Sequence, residues 1–247
     1  MASSGLETII SFAGFHVTNT LLATLLVDAV ILFTVFAVRK RISPVPGRLQ
    51  GSVEAIVKYL YTTTEQVAGA RAGMIFPWVA IFFIYIAVSN LMGLLPGYGT
   101  IGFFRGKELA PILRASTSDL NVTLALAVTS VVATHVLAIR TTGLGTYLKR
   151  FFALNPLLLF VGLMEIVQEV TKLLSFSFRL YGNISAGESV LGTMAKIAAF
   201  GVPIPFLALE ILIAVIQAAI FALLTLVFMS IFTETHEKHA QREDSTL

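Results

Sequence analysis

One apolar stretch of the sequence, residues 165–193, carries ionisable and amide side chains of the kinds that hold and transfer protons. At about 100° per residue, six polar residues fall on one helical stripe roughly 80° wide: Glu165, Gln168, Lys172, Ser175, Arg179 and Asn183. The stripe continues in small residues that let another helix approach closely: Gly182, Ala186, Ser189 and Thr193. Ionisable groups in an apolar segment are costly, so the stripe is a candidate functional surface.

A second set of polar residues lies near the next turn of the chain. Glu188 follows Arg179 by about two and a half helical turns and therefore points to the opposite side. Glu210 and Gln217 lie seven residues apart, on one face of the following apolar stretch. In an antiparallel hairpin, constant index sums place Arg179 level with Gln217, and Glu188 level with Glu210 about 13 Å away.

The charge of Arg179 needs an explanation, because its predicted neighbour at the same depth is an amide. Arginine stays protonated, and leaving it uncompensated at bilayer depth costs about 2.5–3.5 kcal/mol or more. We therefore expect a carboxylate from another polypeptide, although an ion pair within the chain remains the alternative. Glu188 and Glu210 could share a proton, or they could be a protonated pair that only holds the hairpin together.

The composition indicates that lipid surrounds these residues. The 247-residue chain is 56% hydrophobic and 13% charged, with a mean hydropathy of +0.87, too apolar for a hydrated surface. It has no cysteine, which excludes disulfides, thiolate catalysis and cysteine-bound metals. The sequence predicts an all-α polytopic membrane protein with one membrane domain, residues 1–247.

Five apolar spans and one interfacial helix are predicted, and the last two spans should form a long, tilted antiparallel hairpin. The spans cover about 20–38, 76–95, 120–139, 155–200 and 205–232, and the interfacial helix about 53–67. Basic residues around 39–48 and 140–150 outnumber those at the opposite ends. The positive-inside rule then places the N-terminus outside and the C-terminus inside.

Three motifs resemble the subunit a family of F-type ATP synthases. Residues 175–188 read SFSFRLYGNISAGE, residues 118–123 read SDLNVT, and residues 217–225 read QAAIFALLT. Their order and spacing match that family over about residues 20–235. The resemblance implies a non-catalytic, stationary membrane subunit beside a rotating ring of c subunits, to which it offers protons through two offset half-channels.

The resemblance also implies residue roles and partners. Arg179 would be the essential arginine, with Gln217 beside it. The outer half-channel would contain Glu188, Glu210, Asn183, Ser175 and Asp119, and Glu165 would lie toward the inner one. Implied partners are the c-ring, which supplies a membrane carboxylate, b-type subunits of the peripheral stalk, the rest of the complex and the lipid bilayer. No cofactor, metal or nucleic acid is implied.

One departure from the family concerns the pair of glutamates. The family often has a histidine with a carboxylate at the levels of Glu188 and Glu210, so the protonation pH of the outer half-channel is open. The expected location is a bacterial inner membrane, with an organelle's energy-converting membrane as the alternative. Two other functions remain open: an ion-coupled carrier acting alone, and an intramembrane hydrolase using the two glutamates.

Overall fold

A computed structural model describes the chain at residues 8–12, 15–40, 42–95, 98, 102–105, 108–111, 113–151, 156–197, 201 and 203–234. Within these residues the fold is helical, and strands occur only in two short hairpins. Four helices are long and apolar enough to cross a membrane. The predicted all-α polytopic membrane fold is therefore confirmed. The sequence predicts the N-terminus outside and the C-terminus inside the membrane, and both termini lie outside the described residues.

The helices follow one another with short connections. They are α1 (Asn19–Lys40), α2 (Arg48–Ala68), α3 (Ala72–Gly93), α4 (Leu120–Thr142), α5 (Leu144–Phe151), α6 (Pro156–Ile197) and α7 (Pro203–Thr233). Short 3-10 helices cover Gly69–Arg71 and Ser116–Ser118. Strand β1 (Thr8–Phe12) pairs antiparallel with β2 (Phe15–Thr18), and β3 (Gly102–Arg105) pairs antiparallel with β4 (Glu108–Pro111).

Hydropathy and helix length give different counts of membrane crossings. The four candidate spans are Asn19–Lys40, Arg48–Gly93, Leu120–Thr142 and Pro203–Thr233. Helix α6 is not one of them, because it contains Glu165, Glu169, Lys172, Arg179, Glu188 and Lys196. With 42 residues it is nonetheless about 63 Å long at 1.5 Å per residue, about twice the thickness of a hydrocarbon core. A fifth crossing by α6 stays a prediction.

Local sequence explains where α2, α3 and α4 begin and end. Gly69 adopts a φ of +56° between α2 and α3, a left-handed conformation that glycine tolerates best. It lets the amphipathic α2 turn away from the apolar α3. Gly143 ends α4 in the same manner with a φ of +81°, and the short α5 follows.

The core that holds the long hairpin lies where α3, α4, α6 and α7 meet. On α7, Ala214, Ala218 and Ala222 are fully buried, and their small side chains allow neighbouring helices to approach closely. Aromatic rings fill the remaining space, since the rings of Phe176 and Phe221 have centroids 4.8 Å apart. Helix α1 is peripheral, with only 11% of its most apolar window buried.

Candidate functional site

Arg179 lies near the middle of α6 and is exposed. Its Nη2 atom donates to Ser175 Oγ at 3.4 Å, one turn earlier on the same helix. This contact is near the outer limit for a hydrogen bond and supplies no negative charge. Among the described residues, no carboxylate forms an ion pair with Arg179. The cation is therefore presented at the surface of the chain.

The small residues predicted to share the stripe with Arg179 are also exposed: Ser175, Gly182, Ala186, Ser189 and Thr193. We call this surface the arginine face of α6. On its other side, α6 packs against α7 through Phe176 and Leu180, which are 4% and 0% exposed. The arginine face thus points away from the core and is shallow enough for another helix to lie against it.

Gln217 connects α7 to α6 one turn beyond Arg179. Its side chain is 4% exposed, and its Oε1 atom accepts a hydrogen bond from Asn183 Nδ2 at 2.9 Å. The index sum placed Gln217 level with Arg179. In the structure Gln217 is level with Asn183, one helical turn further along α6. The structure therefore gives the Gln217 amide a partner of its own, whereas the guanidinium of Arg179 extends along the exposed face.

Glu188 and Glu210 lie close enough for the charge of one to act on the other, as the index sum predicts. Glu188 Oε2 is 3.3 Å from the Nη2 atom of Arg114, which precedes the 3-10 helix Ser116–Ser118. Glu210 is 8% exposed, and its carboxyl group lies directly over the backbone of Gly187. The two glutamates thus have different environments: one contacts a cation, and the other is packed against a helix.

We expect Gly187→Ala to disturb proton transport by displacing Glu210. A Cβ atom at position 187 would collide with the Glu210 carboxyl group, so the flexible end of the Glu210 side chain would have to move to another position. ATP-driven proton pumping by the assembled complex should fall. Gly192→Ala is the matched control on α6, because a Cβ atom at position 192 meets nothing within 4 Å. Equal pumping by both variants would contradict the proposed importance of the Glu210 position.

Asp119 is the N-cap residue of α4. Its Oδ1 atom accepts from the backbone N–H of Asn121 at 2.9 Å, which is the geometry of a helix N-cap. Its Oδ2 atom accepts from the hydroxyl of Thr20 on α1 at 3.2 Å. The hydroxyl of the neighbouring Ser118 donates to the Ala115 carbonyl at 2.8 Å.

Two substitutions separate capping from proton transfer at Asp119. Asparagine caps helices about as well as aspartate, whereas alanine costs about 0.5–2 kcal/mol. We therefore expect Asp119→Asn to keep most of the pumping rate and Asp119→Ala to lower the thermal stability of the purified complex. Loss of pumping in a stable Asp119→Asn complex would instead make this carboxylate part of the proton path.

A buried polar layer that the motif analysis missed links α3 to α7. Asn90 on α3 is 1% exposed; its Oδ1 atom accepts from Thr117 Oγ1 at 2.8 Å, and its Nδ2 atom donates to the Ala214 carbonyl at 3.4 Å. The hydroxyls of Ser89 and Ser116 are paired beside it. The sequence signal for this polar layer was Asn90 itself, an amide side chain inside an otherwise apolar span.

A different polar cluster lies on α6 toward its N-terminal end, near the half-buried Glu165. His135 Nδ1 is 2.8 Å from the Tyr147 hydroxyl, and its Nε2 atom is 3.5 Å from Glu169 Oε2. Glu169 also pairs with Lys172, whose Nζ atom lies over the ring of Phe228. This cluster ties α4, α5, α6 and α7 together. Within the part of the chain that the structure describes, no group of three His, Cys, Asp or Glu residues could hold a metal ion.

Comparisons with known proteins identify the family. The family model described as ATP synthase A chain matches residues 20–230, which include all three motifs. The chain is 33% identical over 214 residues to ATP synthase subunit a 1 of Hahella chejuensis, covering 87% of this chain and 81% of that protein. It is 30% identical over 234 residues to ATP synthase subunit a of Legionella pneumophila, covering 94% of each chain. A relative from Moorella thermoacetica, also an ATP synthase subunit a, is 28% identical over 218 residues, 88% of this chain and 92% of its own. By the extent of these matches, the chain belongs to the ATP synthase A chain family.

Proposed function

We propose that this chain is the stationary proton-channel subunit in the membrane sector of an F-type ATP synthase. It would give protons two offset half-channels that open onto a rotating c-ring, and so couple proton flow to ATP synthesis. The family membership supports the assignment to the complex. The half-channels and the ring contact are inferred from the positions of the charged residues described above.

The observation that carries the proposal is the exposed charge of Arg179, which has no carboxylate partner among the described residues and lies on a face of small residues. A carboxylate of the ring crosses hydrocarbon cheaply only when it is protonated, and it loses its proton most readily beside water or a fixed cation. The arginine face offers such a cation at a surface that a second helix can approach. Arg179 would therefore meet each ring carboxylate in turn.

The same charge would keep the two half-channels separate. Because arginine does not deprotonate, it cannot hand a proton directly from one half-channel to the other. A proton that enters must leave on a rotating ring subunit instead. Each elementary charge that crosses then contributes about 2.3 kcal/mol per 100 mV of membrane potential.

The outer path would consist of Glu188 and Glu210, followed by the hydrogen-bonded pair of Asn183 and Gln217. These residues form a line of polar groups that leads along the hairpin from the α6–α7 turn toward Arg179. Glu165 would belong to the inner path, because it lies on the opposite side of Arg179 along α6. Ser175 would then position the Arg179 guanidinium, to which it is hydrogen-bonded.

The proposed setting follows from the same features. The cations at the end of α1, Arg39 and Lys40, favour an inner location for that end under the positive-inside rule. Relatives from bacteria support an inner-membrane location. The exposed apolar surface of α1, including Phe33 at 75% exposure, would contact lipid or b-type subunits of the peripheral stalk.

Disulfide cross-linking in the assembled complex tests the ring contact. The native chain has no cysteine, so Ala186→Cys introduces a single thiol on the arginine face. We expect it to cross-link to cysteines placed along the outer helix of a c subunit. Val132→Cys on α4, which is also exposed, is the control and should not react. Equal reaction at both positions would contradict the proposed orientation.

Proton conductance separates this function from a carrier that acts alone. The purified chain in liposomes should conduct few protons without ring subunits, because the proposed half-channels do not meet. Adding the ring should raise the passive proton flux. A high flux through the chain alone would favour the stand-alone carrier.

A further inference from the structure

Arg114 is the feature of the outer path that neither the motifs nor the family comparison assigns. It lies between β4 and the 3-10 helix Ser116–Ser118, and its Nη2 atom is 3.3 Å from Glu188 Oε2. The two side chains are 20% and 33% exposed. The contact joins a connecting segment to α6 across 74 positions of sequence. It places a permanent cation beside one member of the glutamate pair.

Among the described residues, the groups near Glu188 lie on three parts of the chain. Arg114 contacts it at 3.3 Å from the connecting segment, Ser118 lies on the 3-10 helix, and Glu210 lies on α7 with its carboxyl group over the neighbouring Gly187. Two nearby carboxyls in a poorly solvated site tend to share one proton between them. A guanidinium beside only one of them removes this symmetry, because it favours the charged form of the carboxylate it touches.

We propose that Arg114 is a positioning residue of the outer proton path: it holds Glu188 in its charged form, so that Glu210 is the member of the pair that carries the proton. The inference rests on the proposed function. Glu210 suits this role because it is buried and held in place over Gly187. In this proposal Arg114 acts on the proton path through the carboxylate of Glu188.

The test measures passive proton flux through the assembled membrane sector in liposomes while the pH on the outer side is varied. Removing the cation in Arg114→Gln lets the glutamate pair hold its proton to a higher pH. The alkaline limb of the flux profile should therefore move upward by about one pH unit, the low end of the effect of a close charge, since both side chains are partly exposed. Arg114→Lys should restore most of the parent's profile.

Matched variants exclude a general effect of charge. Arg140 is an exposed arginine at the other end of α4, so Arg140→Gln makes the same change in net charge and should leave the profile in place. Adding Glu188→Gln to Arg114→Gln should cause no further upward shift, because the two residues act as one unit. An unshifted profile in Arg114→Gln would overturn the proposal.

A charge exchange keeps the proposal testable if Arg114→Gln does not assemble. The double variant Arg114→Glu with Glu188→Arg preserves the ion pair and with it any purely structural tie. It also places a cation beside Glu210, which would hold that carboxyl charged and block proton loading. We expect assembly with flux at least about tenfold below the parent, the change that corresponds to about 1.4 kcal/mol in a barrier. Flux equal to the parent's would show a structural tie only.

The result is independent of the test of the proposed function. Arg179→Ala is measured in the same preparations. If that variant couples normally, the proposed function fails whatever Arg114 does. If Arg179→Ala is inactive and the Arg114→Gln profile is unshifted, only the role of Arg114 fails.

Discussion

Arg179→Ala is expected to assemble into the complex and to abolish both ATP synthesis and ATP-driven proton pumping. The side chain lies on an exposed face, and its hydrogen bond to Ser175 is long, 3.4 Å. Removing it should therefore cost the fold little, since surface substitutions usually change stability by no more than about 0.5 kcal/mol. The variant should instead lose proton transport, because no fixed cation then meets the ring carboxylate.

Arg179→Lys distinguishes a permanent charge from any positive charge. Lysine keeps the charge in water, but it lacks the planar fork of arginine and can lose its proton when it is desolvated. Beside a ring carboxylate we expect it to fail as well. A lysine variant that pumps at the parent's rate would mean that the fork and the permanent charge are unimportant.

The measurements are ATP-driven pumping and passive proton flux by purified complexes in liposomes. Arg179→Ala should lack pumping and permit a passive leak, because the barrier between the half-channels is gone. Arg140→Ala is the control, an exposed arginine far from the arginine face, and should pump normally. Normal coupling in Arg179→Ala would refute the mechanism. Failure of that variant to assemble would instead assign Arg179 a structural role.

The hairpin could be predicted from sequence because its geometry is periodic. An α-helix repeats every 3.6 residues, and an antiparallel pair keeps a constant index sum. The observed contacts of Phe176 with Phe221, Asn183 with Gln217, and Gly187 with Glu210 have sums between 397 and 400. These are close to the expected 396 and 398, so the depth of each polar group followed from counting.

Contacts made by connecting segments could not be predicted in this way. The path of residues 113–119 has no period, and no sequence rule brings Arg114 to Glu188, 74 positions away. The hydroxyls that meet Asn90 lie on the same segment. By contrast, the cap formed by Asp119 had a sequence signal, because an aspartate directly before an apolar helix is a common N-cap.

Hydropathy alone also hides the helix that matters most. The charged residues of α6 keep it out of the set of apolar spans, although it packs along α7 through Phe176 and Leu180. Only part of its apolar surface, including Phe176 and Leu180, is buried within the chain, and the stripe that carries Arg179 is left exposed. A helix that carries a stripe of charged residues therefore has a low mean hydropathy, even where it packs within a helical bundle.

The second large effect is expected when both outer glutamates are neutralised. Glu210→Gln alone should reduce pumping more than Glu188→Gln alone, because Glu210 is buried over Gly187 and would carry the proton. With both carboxyls absent, neither position can accept or release a proton. Proton transfer by a positioned group contributes about 10²–10⁴-fold, so pumping should fall at least about 100-fold.

The loss of the Arg114–Glu188 ion pair must be separated from the loss of the proton acceptors. Glu188→Gln breaks the ion pair with Arg114, and breaking a partly buried ion pair from one side destabilises a protein by itself. The triple variant with Arg114→Gln, Glu188→Gln and Glu210→Gln removes that cost and keeps the loss of both proton acceptors. If the outer path runs through the glutamates, the triple variant should be as inactive as the double variant. Pumping by the double variant at the parent's rate would make both carboxyls structural. Recovery in the triple variant would show that the broken ion pair, rather than the missing acceptors, had blocked the path.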